Sequence, residues 1–395
     1  MKEMTSKRIE SIDILRGLVM VIMALDHVRD YFHLNAFYSV DPENIETTTP
    51  ILFFTRFITH FCAPVFIFLA GTSAFLYGQK RSKVHLSKFL IIRGIWLIFI
   101  EIFVMNFLWW FDVTYSFVNL QVIWVIGWCM ILLGIAIHLP KKVLLFLGLL
   151  IVLGHNGLDG IRYENGNNDA MFWYALHQIG GAFLSPERYI QFTYSILPWS
   201  GVIFLGYGFG ALYRKGIYLT IRKKWLLYLG VSCVVLFFVL RVINLYGNPY
   251  QWEAQETLSK TILSFFKVTK YPASLQYLLI TMGPAFLFLY FIENVKNKIT
   301  HFLLIFGRVP FFYYIIHVFV IHVIAIIGLL LTSKDWKLMI FTKETFFQGK
   351  LKDYGYDLWI VYLVWIGIVL LLYPICKRYM IYKAKNKDKW WLSYL

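Results

Sequence analysis

Residues 11–32 read SIDILRGLVMVIMALDHVRDYF. A helix of about 20 residues, rising 1.5 Å each, covers a hydrocarbon core roughly 30 Å thick, so this run is long enough to span a bilayer. It is not uniformly apolar. Asp13 and Arg16 stand near its start, and Asp26, His27, Arg29 and Asp30 near its end. Arg16, Met20, Met23 and His27 follow the i, i+4, i+7, i+11 spacing of a single helical stripe. Ionisable groups facing lipid are costly, so the stripe must turn inward onto other helices. A structural ion-pair network would satisfy that demand. So would a site with two ends, one basic and the other bearing an imidazole.

The rest of the chain agrees with a membrane setting. Of its 395 residues 59% are hydrophobic and only 15% charged, with a mean hydropathy of +0.63. The apolar runs are too long and too many for soluble domains, which predicts one all-α polytopic helical bundle over residues 1–395. A net charge of +16 would point to nucleic acid in a soluble protein. Here the basic residues gather in short loops between apolar runs, the positive-inside pattern, and nucleic acid is excluded as a partner. Cys62, Cys129, Cys233 and Cys376 all fall inside apolar runs without CxxC spacing, so neither a metal nor a disulfide is expected.

About ten spans are predicted. They cover residues 11–32, 51–77, 89–110, 117–138, 143–154, 192–213, 225–245, 273–294, 310–331 and 358–375. Basic residues at Lys2, Lys7 and Arg8, at Lys80, Arg81 and Lys83, at Lys141 and Lys142, from Arg214 to Lys224, and at Lys296 and Lys298 recur on every second connection. That places both termini in the cytosol. The loop from His155 to Arg188 is rich in Gly and Asn and includes Trp173, His177 and Gln178. Its length suggests a functional or partly helical segment. Gly201, Gly206, Gly208 and Gly210 serve close helix packing, since no strand precedes them as a dinucleotide site requires.

Sorted by depth, the intramembrane polar groups form two sets. Asp13, Arg16, Arg93 and Arg308 lie towards the cytosol, and forked guanidinium hydrogen bonds there can hold a polyphosphate. Asp26, His27, Asp30, Arg56, His60 and either His317 or His322 lie towards the outside. Any single arginine could instead snorkel to headgroups, and a lone intramembrane histidine often only links helices. His27 stands out because it joins the stripe to adjacent carboxylates able to orient a general base. Eleven residues of helix separate it from Arg16, about 16 Å of rise, which matches an extended pantetheine arm.

Several stretches carry a resemblance. SIDILRG (11–17) followed by Asp26-His27 resembles the opening of the transmembrane acyltransferases. PVFIFLAG (64–71), RGIWL (93–97), LPW (197–199) with Gly206-Tyr207-Gly208, KYPASL (270–275), residues 306–322 and WWL (390–392) extend it. This ordered set across nearly the whole chain is similar to bacterial members of the heparan-α-glucosaminide N-acetyltransferase catalytic-domain family. The resemblance implies transfer of an acetyl or other acyl group from cytosolic acyl-CoA to an extracytoplasmic sugar or envelope glycan, in a bacterial cytoplasmic membrane. His27 matches the end-of-first-span histidine of the bacterial O-acyltransferase relatives. The eukaryotic enzymes carry Asn there and a histidine in the following outer loop, where this chain has His33.

The expectation is therefore an acyl-CoA-dependent acyltransferase without a metal. His27 would be the base or acyl carrier, Asp26 or Asp30 its orienting group, and Arg56 or His60, with His317 or His322 nearby, would stabilise the oxyanion. Arg16, Arg93 and Arg308 would bind the donor's phosphates. The bilayer, acyl-CoA and the glycan are the partners, and a homodimer is left open. The rival classes are a proton-coupled transporter relaying protons along the same His/Asp/Arg network, and a non-catalytic partner of another envelope enzyme.

Overall fold

The computed structural model describes residues 9–34, 41–332, 334–348, 351 and 354–393; the basic segment Lys2, Lys7 and Arg8 lies outside them. In order, the helices are α1 (Glu10–Phe32), α2 (Pro50–Thr59), α3 (Cys62–Gly78), α4 (Lys83–Phe99), α5 (Asn106–Trp110), α6 (Val122–Ala136), α7 (Lys141–Gly154) and α8 (Met171–Leu176). They continue with α9 (Ile196–Phe209), α10 (Leu219–Ile243), α11 (Leu258–Phe266), α12 (Leu275–Ile292), α13 (Lys298–Arg308), α14 (Pro310–Leu331), α15 (Lys343–Gln348) and α16 (Leu358–Lys385). Among the described residues, eight helical stretches are long and apolar enough to cross a membrane. The charged α1 and the shorter apolar α6 bring the set to the ten runs read from the sequence.

Local chemistry explains the boundaries. Thr49 caps α2 by accepting from the Leu52 amide at 3.3 Å, and Pro50 occupies the first turn, where its missing N–H costs nothing. The second apolar run breaks at His60–Phe61 into α2 and α3, so Arg56 and His60 sit on separate pieces of chain from the long α3. Asn297 and Thr300 form a reciprocal capping box that starts α13, an amphipathic helix not anticipated in the sequence. Ser82 caps α4 through the His85 amide, so the helix begins at Lys83 and runs on through a π-helical turn, Ile100–Met105, into α5. Arg93 consequently stands ten residues into the helix, about 15 Å along it, rather than at the start of a span.

A second difference is a small sheet. Strands β1 (Phe117–Leu120), β2 (Gly180–Ser185) and β3 (Arg188–Phe192) pair in the order β1-β3-β2, with β1 parallel and β2 antiparallel to β3. Residues 117–120 are therefore strand rather than the start of the fourth span. Asn106 fastens β1 to α5: its side chain donates to the Asn119 carbonyl at 3.1 Å and accepts from the Asn119 amide at 2.7 Å.

Helix α1 is the hub, packing against α13, α14, α16, α2, α3 and α12. Its seam with α13 is set by two glycines. A Cβ on Gly17 would stand 1.8 Å from the Leu303 carbonyl oxygen, and one on Gly307 would stand 1.7 Å from the Asp13 oxygen. Backbones meeting this closely are typical of membrane helix pairs. At the periphery, α10 and α16 expose Val235, Val239, Leu363, Leu370 and Leu371, an apolar surface suited to lipid.

Candidate active site

The last turns of α1 deliver Met23, Asp26, His27, Arg29 and Asp30 to a cavity of about 130 Å³. Arg56 and Thr59 enter from α2, Cys62, Ala63 and Phe66 from α3, Trp109 from α5 and Tyr314 from α14. Gln121 and Val122 at the head of α6, Tyr194, and the pair Lys270-Tyr271 complete the lining.

The charges are arranged in tight pairs. Asp26 takes Arg29 at 2.9 Å on one oxygen and Arg56 at 2.5 Å on the other, while Asp30 takes the same Arg29 at 2.5 Å. Lys270, 6% exposed, stands over the rings of Tyr271 and Tyr194 at 5.1 and 5.9 Å. Three cations thus face two carboxylates around the cavity. The surplus positive charge among these largely buried groups favours an anion or a developing oxyanion. Burial alone would raise the Tyr271 phenol, but the Lys270 and Arg56 charges and a hydrogen bond with Tyr194 bring it below its ordinary value.

His27 is oriented by a histidine, not a carboxylate. Its Nδ1 lies 2.8 Å from Nε2 of His317, whose own Nδ1 lies 2.7 Å from the Tyr313 carbonyl oxygen. A carbonyl only accepts, so His317 Nδ1 carries the proton and its Nε2 the lone pair. His27 must then donate from Nδ1, which leaves the lone pair on its Nε2. The two rings are parallel, 4.9 Å between centroids, and Trp109 meets His27 edge-on at 4.7 Å. Asp26 and Asp30 do not take the expected orienting role: Asp26 projects about 100° away from His27 around the helix, and both carboxylates are engaged by arginines.

Two expected members fall elsewhere. His60 is fully buried and places Nε2 2.7 Å from Glu43, while its carbonyl accepts from Tyr277 at 2.8 Å; it pins the segment before α2 rather than lining the cavity. His322 stacks on Phe111 at 3.8 Å with its nitrogens facing the carbonyls of Leu108 at 3.1 Å and Met339 at 2.8 Å, a link between chain segments. His33 caps the end of α1 and is half-buried; burial first, and then Arg29, lower its pKa.

At the other end of α1, Arg16 donates to Asp13 at 2.9 Å, to Ser73 at 3.1 Å and to the Gly307 carbonyl at 3.4 Å. The neighbouring Arg308 lies 3.9 Å from Glu10, so these two guanidiniums share the α1–α13 seam. Arg93 belongs to α4, whose main partner is α6, and stands 5.9 Å over Phe89.

Sequence reasoning missed Lys270, Tyr271, Tyr194, Trp109, Tyr314 and Gln121 as cavity residues. One signal was available: Lys270 is a lysine next to a span on the side where the positive-inside rule disfavours it. Glu101 also gains an explanation. Its carboxylate accepts from the Gln121 amide at 3.1 Å, capping the start of α6 behind the cavity wall.

A family model described as "Heparan-alpha-glucosaminide N-acetyltransferase, catalytic" matches residues 8–241. That range contains Asp26, His27, Arg29, Asp30, Arg56 and Gly17 of the α1–α13 seam, and ends before Lys270, Gly307 and His317. No curated protein sequence matches the chain.

Proposed function

The chain belongs to the heparan-alpha-glucosaminide N-acetyltransferase catalytic family, a membrane acetyltransferase assignment from which we propose that it moves an acetyl group from cytosolic acetyl-CoA to a hydroxyl or amine of an extracytoplasmic sugar. The observation that carries this reading is the chain Tyr313 carbonyl–His317–His27 at the wall of a cationic cavity.

In this reading His27 Nε2 takes the acceptor's proton as its oxygen or nitrogen attacks the thioester carbonyl. His317 holds the ring and shares the positive charge that develops on it. Arg56 and Lys270 stabilise the tetrahedral oxyanion, and Arg29 keeps Asp26 and Asp30 from neutralising them fully. Collapse breaks the C–S bond, and the coenzyme A thiolate takes the proton back from His27. Arg16 and Arg308 hold the donor's phosphates near the opposite end of α1, about 16 Å away along the helix. Arg93 is the third candidate for that task.

The same reading orients the chain with the start of α1 and the loops at 79–83, 140–142, 214–224 and 295–298 in the cytosol of a bacterial inner membrane, supported by their basic residues. Purified protein supplied with labelled acetyl-CoA and an amino-sugar acceptor tests it. Acetyl transfer, or slow acetyl-CoA hydrolysis, that disappears in His27→Ala supports the enzyme. Wild-type protein that binds coenzyme A yet never cleaves the thioester overturns it.

A further inference from the structure

Acyl transfer leaves one group of side chains unused. His155 opens the short 3-10 turn after α7, Asp159 follows that turn, and His177 ends α8. One ligand atom from each, two imidazole nitrogens and a carboxylate oxygen, lie within 4.8 Å of one another. His177 Nε2 is already 3.2 Å from Asp159 Oδ1, and the rings of His155 and His177 meet edge-on at 5.5 Å.

His155 is the telling member. It is 3% exposed, and neither ring nitrogen has a hydrogen-bond partner. The Ala273 backbone runs alongside it but completes no hydrogen bond to either nitrogen. An imidazole desolvated in this way has given up its hydrogen bonds to water without replacement unless a ligand satisfies it. A hydrogen-bonded cluster would have turned the ring onto Asp159, whose Oδ1 instead meets His177. The carboxylate is itself aimed: Asp159 Oδ2 accepts from Asn156 Nδ2 at 2.8 Å, and Asn156 Oδ1 accepts from the Leu275 amide at 2.9 Å. Outer groups that hold a carboxylate in place are characteristic of metal centres.

We propose that His155, Asp159 and His177 bind a divalent transition metal, Zn²⁺ by the character of the donors. Two neutral imidazoles and one carboxylate suit zinc, whereas Ca²⁺ and Mg²⁺ favour all-oxygen shells. Zinc–ligand bonds of about 2.0–2.2 Å at tetrahedral angles require donor separations of roughly 3.4 Å, so the three ligand atoms, now within 4.8 Å of one another, would draw together on the metal. The fourth position is left for water. Asp159 and His177 line a second cavity of about 170 Å³ with Arg162, Gln178, Tyr250 and Tyr271. Tyr271 also lines the cavity that holds His27. The metal therefore ties the chain after α7 to α8 beside the outer wall of the acyl-transfer site.

The test needs no activity. Full-length protein purified in detergent is stripped with a chelator, reloaded with Zn²⁺ or Co²⁺, desalted and assayed for bound metal. Wild type should retain about one equivalent, and the Co²⁺ form should show the visible bands of a four- or five-coordinate N/O site. Asp159→Asn and His177→Gln, both close in shape to the native residues, should weaken binding at least about tenfold, with size-exclusion elution as the control for folding. His27→Ala should keep its metal, so failure of the acyl-transfer reading leaves this result untouched. Wild type that holds no metal while eluting as a folded species overturns the site. Variants that hold as much as wild type do the same, because the metal would then be bound elsewhere.

Discussion

Nδ1 of His27 faces Nε2 of His317 across 2.8 Å, and the Tyr313 carbonyl fixes the direction of that hydrogen bond. On the proposed function the pair would work as a base and its orienting partner, with an imidazole where hydrolytic triads place a carboxylate. His27→Ala should lower turnover by about 10²–10⁴. His317→Ala should lower it nearly as far with little change in KM for acetyl-CoA, since His317 touches the base and not the donor. His317→Gln offers an acceptor oxygen to His27 Nδ1 and should recover part of the loss. A His317→Ala enzyme with wild-type turnover would reduce the contact to packing.

Arg16 and Arg308 share the α1–α13 seam, whereas Arg93 lies well along α4. Charge-assisted hydrogen bonds are worth about 1.5–3 kcal/mol, so Arg16→Gln and Arg308→Gln should each weaken coenzyme A binding roughly tenfold to hundredfold. Arg93→Gln should change it less. Isothermal titration on detergent-purified variants measures all three. Equal affinity in the Arg16 and Arg308 variants would make these residues lipid anchors or structural ties.

The membrane-helical fold was legible because run length and loop charge are counted directly along the chain. So was the company of Asp26, His27, Asp30 and Arg56, since depth in a span follows from residue number. Choosing between His317 and His322 was not possible in the same way. They lie five residues apart and point about 140° away from each other, and only the rotation of α14 decides which meets His27. Lys270 and Tyr271 enter from a loop, where no periodicity applies. Strand β1 is only four residues long and runs into an apolar helix, so a continuous span was the natural reading. The His155–Asp159–His177 group depends on a contact between residues 18 apart, across a loop and the short α8, and cysteine spacing carries no trace of it.

Close approach of α1 to α13 gives a stability test. An added methyl at Gly307 would collide with the Asp13 carbonyl, backbone that cannot step aside without moving α1. Gly307→Ala should therefore cost more than the usual 1–3 kcal/mol of overpacking. It should also weaken coenzyme A binding, because Arg16 and Arg308 flank the seam. Gly154→Ala, where an added methyl meets nothing within 4 Å, is the control and should melt like wild type. A Gly307→Ala protein with an unchanged melting temperature would mean that the helices are not held this close.

Acid should loosen the segment before α2 through Glu43. Burial alone would raise its carboxyl, but the facing His60 ring and the Arg56 charge outweigh burial and hold it at about 2 instead of 4.5. A carboxylate depressed on folding contributes stability that is fully present above its unfolded value and is lost as pH falls through its folded one. The contribution should thus be complete above about pH 4.5 and fade towards pH 2, with roughly 3 kcal/mol as its upper bound. Glu43→Gln removes it. At pH 6 the variant should melt below wild type, and the gap should close as both are taken from pH 4.5 towards pH 2.5 in an acid-stable detergent. Melting curves that coincide at pH 6 would show that the 2.7 Å contact between His60 and Glu43 adds nothing net to the fold.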